Sequence, residues 1–175
     1  VASISPQEFE ALLPLACAWA EEQEQLILKK GVGLTEVQMS DARSIGVAAP
    51  ERVRLLRVKQ IPLPSHSQLR QAAQETGLLS PETAGLTLRY GILIRSPFWG
   101  ARDLVAHELV HVWQYEQFGS LENFLRQYLW ECVTLGYTKA PMEQEAQTVA
   151  LRHPIVKNTR MCHFVTSCFP KTQKI

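Results

Sequence analysis

Apolar residues recur at helical spacing near the start of the chain, at Phe9, Leu12, Leu13, Leu15, Ala16, Trp19 and Ala20. Ser5 stands as an N-cap, Pro6 takes the first helical position and Glu8 follows three residues after the cap. Lys29-Lys30-Gly31 then supplies positive charge and a glycine stop. The spacing predicts one long packing helix, which Pro14 is expected to kink or divide because proline breaks the hydrogen-bond ladder. Thr35-Glu36-Val37-Gln38 is a second capping box and leads a short helix to about Ile45. Beyond Pro50 the run Val53–Val58 reads as a strand.

Ser65-His66-Ser67-Gln68 opens a further helix to about Thr76, closed by Gly77, with His66 on the surface, and Ser80-Pro81-Glu82 can start one more turn. Leu86–Ile94 is rich in aliphatic residues around Gly91 and fits either one bulged strand or a hairpin turning at Arg89-Tyr90-Gly91, with the hairpin preferred. Helical spacing returns from Ala101 to Phe118, stops at Gly119, and resumes behind Ser120 to about Cys132. Pro141 suits the first position of a last helix, running to about Arg152 before Pro154, and 155–175 has no clear period. Many helices with few strands, and neither repeats nor linkers, predict a single α+β domain over 1–175.

Composition narrows the chemistry. Hydrophobic residues are 46% of the 175 and charged residues 20%, enough to build a core and too apolar for a disordered chain. Lys+Arg 18 against Asp+Glu 17 leaves a net charge of +1, so no single-sign field draws nucleic acid, and the basic stretch Arg52, Arg54, Arg57 and Lys59 reads as a solvated strand face. Asp41 and Asp103 are the only aspartates, which disfavours an Asp-rich magnesium or calcium loop. Cys17, Cys132, Cys162 and Cys168 form no C-x-x-C pair, and the group Cys162, His163, Cys168 matches no standard ligand spacing. The apolar stretch Ala11–Ala20 is too short to cross a membrane and lacks a basic lead, so the expectation is a cytoplasmic protein without membrane partners. Oligomeric state leaves no signal.

Against this plain background stands His107-Glu108-Leu109-Val110-His111, an H-E-x-x-H inside a predicted helix. Its chance occurrence at this composition is about 0.01. Residues four apart share a helix face, so both imidazoles can reach one ion while Glu108 points toward a water on it. Zinc suits such a set, with three protein ligands and a fourth position for water. Glu143 is the preferred third ligand, in Pro141-Met142-Glu143-Gln144-Glu145-Ala146-Gln147. Glu145 lies about 200° further around that helix and is the alternative, with His153 or His163 behind it. Gln147, one turn on, can orient a ligand, and Asp103, one turn before His107, is another candidate for that role.

His107–His111 followed by Val112-Trp113-Gln114, and later an E-x-E-A helix, resembles the gluzincin branch of HExxH zinc metallopeptidases, especially small bacterial peptidases with an H-E-L-x-H-x-x-Q helix. The resemblance covers about residues 86–152, leaving 1–85 as a packing region and 153–175 as a tail. It implies a zincin-like domain in which His107, His111 and Glu143 bind zinc and Glu108 is the general base. It also implies that Gly91–Arg95 is an edge strand on which a peptide or protein substrate adds as a further strand. Gln147 stands where that pattern commonly has an acid or asparagine holding the first histidine.

The expected reaction is peptide hydrolysis by a metal-activated water, with Glu108 moving the proton and a donor stabilising the oxyanion. Tyr137 is the first candidate for that donor, with His153 and Arg95 after it, and Phe98 and Trp99 can shape the cleft entrance. The alternative is a non-catalytic zincin-like domain serving protein interaction or a structural role.

Overall fold

The computed structural model describes residues 4–152. In chain order these form α1 (Pro6–Lys30), β1 (Val32–Gly33), α2 (Glu36–Ile45), β2 (Arg54–Val58), α3 (Ser67–Glu75), β3 (Gly85–Leu88), β4 (Gly91–Arg95), α4 (Arg102–Phe118), α5 (Leu121–Leu135) and α6 (Pro141–Arg152). The architecture is α+β, with helices packed on a small mixed sheet. Among the described residues no helix is long and apolar enough to cross a membrane.

Local signals account for most boundaries. The Glu8 N–H donates to Ser5 Oγ at 3.2 Å while the Ser5 N–H donates to the Glu8 carboxylate at 2.9 Å, and Thr35 with Gln38 repeats the arrangement at the start of α2. Gly46 ends α2 at φ +105, a left-handed conformation that side chains disfavour. Pro14 does not divide α1. It lies on the exposed side of a helix that continues to Lys30, where water can serve the carbonyl deprived of its partner. Ser80-Pro81-Glu82 makes a turn and no helix, tied by Ser80 N–H to Thr83 Oγ1 at 2.9 Å.

The strands run in the order β1-β2-β4-β3. β2 and β4 are parallel, joined by a crossover carrying α3, and β3 and β4 form the expected hairpin, pairing Leu88 with Gly91. This order corrects one expectation: Gly91–Arg95 is not an edge strand. β4 bonds to β2 on one side and β3 on the other, so Gly85–Leu88 is the edge on that side.

Alternation along β4 divides the core. Ile92 and Ile94 face Val105, Leu109 and Val112 of α4, whereas Leu93 joins Phe9, Leu13 and Ile27 of α1 with Phe124 and Leu125 of α5. α1 passes so close that a Cβ on Gly91 would lie 3.0 Å from Ile27. α4 is thus pressed on one face of the sheet, with both histidines toward its β3 and α6 side.

The hairpin turn depends on a buried acid. Arg89 adopts φ +57, unfavourable for a residue with a Cβ, and its guanidinium lies 3.2 Å from the carboxylate of Glu24, which is buried on α1. The Tyr90 N–H also donates to Glu24 Oε1 at 3.3 Å. Removing this carboxylate leaves an arginine and a backbone donor without their partner. Glu24→Ala should therefore cost about 2–3 kcal/mol in urea unfolding, and a loss within 0.5 kcal/mol would show that the pair does not hold the turn.

Candidate metal centre

α4 carries the H-E-x-x-H sequence and is fixed at its start by Arg102, whose guanidinium donates to both oxygens of Asp41 on α2 at 2.8 and 2.7 Å. His107 and His111 lie one turn apart and bring their Nε2 atoms to 3.2 Å. α6 meets them from the other side. Its first turn is held by Glu131 of α5, which accepts the Met142 N–H at 2.9 Å, and buried Met142, Ala146 and Ala150 fix which face of α6 looks inward.

That face presents Glu143. Its Oε1 lies 3.1 Å from His111 Nε2 and its Oε2 3.4 Å from His107 Nε2, so the carboxylate spans both imidazoles. His107, His111 and Glu143 form a group that could hold a metal ion, each offering one ligand atom within 4.8 Å of the others. His111 and Glu143 are buried, and His107 keeps 21% of its side chain exposed. A buried carboxylate beside two imidazoles needs opposite charge or hydrogen-bond donors around it, which protonated imidazole or a metal ion could supply.

Each of these groups has a dedicated partner. His111 Nδ1 lies 2.8 Å from the side-chain oxygen of Gln114, which can only accept. Nδ1 therefore carries a proton, and Nε2 is the ring nitrogen turned toward Glu143 and His107. The Gln114 amide N–H group donates in turn to the Met142 carbonyl at 3.0 Å and to Glu145 at 2.8 Å, tying α4 to α6. Tyr128 of α5 donates its hydroxyl to Glu143 Oε1 at 2.6 Å. Tyr137, in the 3-10 turn before α6, also hydrogen-bonds Glu143.

Glu108 turns toward β3. Thr87 Oγ1 is 2.7 Å from Glu108 Oε2 and 3.0 Å from the Glu108 carbonyl, so the Thr87 hydroxyl is committed to this residue. Gly85, two residues earlier on the same strand face, leaves the carboxylate its space: a Cβ there would fall 2.4 Å from Oε1. Glu108 is thus pinned between a threonine and a glycine, lining the same cavity as His111, Tyr137 and Glu143.

The electrostatics follow from this crowding. Burial opposes charge on His111, but Glu143, Glu108 and Gln114 outweigh it and push the imidazole up to about 9. Burial also works against ionised Glu143, and the two imidazoles more than offset it, holding the acid well below the ordinary carboxylate range. Tyr128 and Tyr137 are raised by burial and then by the negative charge of Glu143, so both phenols remain hydrogen-bond donors.

Other sequence candidates go elsewhere. Glu145 is exposed and bonds Gln114, which settles the choice between the two acids of α6 in favour of Glu143 as the residue facing the histidines. Gln147 is exposed, and among the described residues neither it nor Asp103 hydrogen-bonds His107. Arg95 donates to the Pro81 carbonyl and stacks on Phe98, away from the centre. Trp99 is exposed and lines a hollow with Val32 and Thr35. His153, Cys162, His163 and Cys168 lie outside the described residues. Gln114, Tyr128, Thr87 and Gly85 were missed as site residues. Gln114 had a signal, its i,i+3 spacing from His111, whereas Tyr128 reads as one more core aromatic and Thr87 and Gly85 gain meaning only through strand pairing.

No family profile, curated protein or solved structure matches this chain.

If the group holds a metal ion, Gln114→Ala should weaken that binding about 10–100-fold in chelator competition, while Gln147→Ala leaves it unchanged. Equal losses would contradict the assignment of Gln114 as the orienting residue.

Proposed function

We propose that this chain is a zinc-dependent, metallopeptidase-like hydrolase acting on peptide bonds. The observation that carries the reading is the spacing of the donor atoms. Ligands about 2.0–2.1 Å from a tetrahedral ion stand about 3.3–3.4 Å apart; the two histidine Nε2 atoms are 3.2 Å apart, Glu143 approaches His111 at 3.1 Å through Oε1 and His107 at 3.4 Å through Oε2, and one atom from each residue lies within 4.8 Å of the others. Two imidazoles and a carboxylate are a set that zinc accepts in catalytic sites with one position left for water.

Zinc held there would supply Lewis acidity, activating water and polarising the scissile carbonyl. Glu108 takes the proton of the attacking water and delivers it to the leaving amine. Tyr137, kept protonated by its surroundings, would turn its hydroxyl from Glu143 to donate to the oxyanion of the tetrahedral intermediate. Tyr128 acts through Glu143 and positions its carboxylate. β3, whose outer edge is unpaired among the described residues, replaces β4 as the strand on which a peptide adds. Cys17 and Cys132 are free thiols, consistent with work in a reducing cytoplasm.

Protein purified without added zinc should carry about one ion per chain by elemental analysis, and His107→Ala should carry none. Glu108→Gln should retain the metal and lose about 10²–10⁴ of peptide hydrolysis, and Gly85→Val should do the same in milder form by displacing Glu108. A zinc-loaded wild type that is inert on a broad peptide library would instead favour the non-catalytic scaffold. Failure to bind zinc after reconstitution would overturn both readings.

A further inference from the structure

Beside the metal centre lies a cavity of about 140 Å³. Glu108, His111, Tyr137 and Glu143 line one part of it, and apolar side chains of α1, α3 and α5 line most of the rest. All four residues of β3 border it, so it follows the free edge of that strand from one face of the sheet to the other. Protein cores leave few voids larger than a water molecule. This one is kept open by small residues: Ala16 and Ala20, one turn apart on α1, and Ala72 and Ala73 on α3 all line it, where larger aliphatic residues would close it.

The lining also states what it excludes. Among the described residues no lysine or arginine borders the cavity, and the two carboxylates at its polar end repel anions. The threonine hydroxyls have partners: Thr76 donates to the Ala72 carbonyl at 2.7 Å, Thr83 accepts the Ser80 N–H at 2.9 Å and Thr87 bonds Glu108. Away from that polar end a charged or strongly polar group would enter without partners, whereas a void of about 150 Å³ lined by aliphatic and aromatic residues takes up benzene.

We infer that this cavity is a binding pocket for one large apolar group of the substrate, an aromatic ring or a branched aliphatic side chain, seated beside the bond to be cleaved. Its volume is enough for one such group. The catalytic meaning rests on the hydrolase reading of the adjoining centre, but occupancy of the pocket does not, and the two are separable by experiment.

Benzene, toluene and ethylbenzene titrated into the metal-free and the zinc-loaded chain, followed by NMR, should bind in both forms, with affinity rising about fourfold per added carbon until the space is full. Ala73→Phe should lower toluene affinity at least about tenfold while retaining zinc, and Ala73→Leu, a smaller intrusion, provides the comparison if the first variant does not fold. With active enzyme, a peptide library should be cleaved next to phenylalanine or leucine in preference to aspartate or glycine, and Ala73→Phe should reverse the order of phenylalanine and glycine. Toluene that does not bind the folded wild type, or that binds both filled variants as well as the wild type, would overturn the pocket. Toluene bound by a zinc-loaded chain that cleaves no peptide would support the pocket and remove the hydrolase reading alone.

Discussion

Glu143 lies buried with one carboxylate oxygen 3.1 Å from His111 and the other 3.4 Å from His107. An ionised carboxylate at that depth is tolerated only with opposite charge or several donors around it. The two imidazoles, Tyr128 and Tyr137 meet that demand from three directions. The positions of α4, α5 and α6 can be read as consequences. α4 must bring two histidines to one face, α5 must present Tyr128 toward them, and α6 must start where Glu131 can fix its first turn.

Gln114 makes this arrangement directional. Its amide oxygen selects the tautomer of His111, and its amide nitrogen bonds the backbone and Glu145 of α6, so the orientation of a ligand and the docking of a helix share one side chain. On the far side, Gly85 and Thr87 do for Glu108 what Gln114 does for His111. The sheet contributes position more than chemistry: β4, covered on both faces, is the rigid member, and the hairpin hung on Glu24 carries β3 against α4. The remaining space beside β3 is bounded by the N-terminal helices, which makes α1 and α3 part of the candidate site as well as of the core.

Much of the local structure was legible from residue order because its causes are local. Capping boxes at Ser5 and Thr35, the glycine stops, and the two histidines on one helical face all act within a few residues. The helical period shows that Glu143 and Glu145, two residues apart, cannot share a target, but which of them faces the histidines follows from how α6 packs on α4. What escaped depends on pairing between distant segments. The edge position belongs to Gly85–Leu88 because β2 enters the sheet beside β4, an order that neither strand's own sequence encodes. Gln147 is spaced along α6 to hold His107, yet its side of the helix faces solvent, and the histidine that gains an orienting partner is His111, from Gln114 of α4.

The central claim is a single tetrahedral centre made by two imidazoles of α4 and one carboxylate of α6. X-ray absorption spectroscopy of the zinc-loaded protein addresses it without reference to any substrate. The expected result is a four-coordinate ion with two imidazole nitrogens and oxygen ligands at about 2.0–2.1 Å. Sulfur scattering at about 2.3 Å, or a shell without imidazole, would place the metal elsewhere and contradict the assignment of His107, His111 and Glu143.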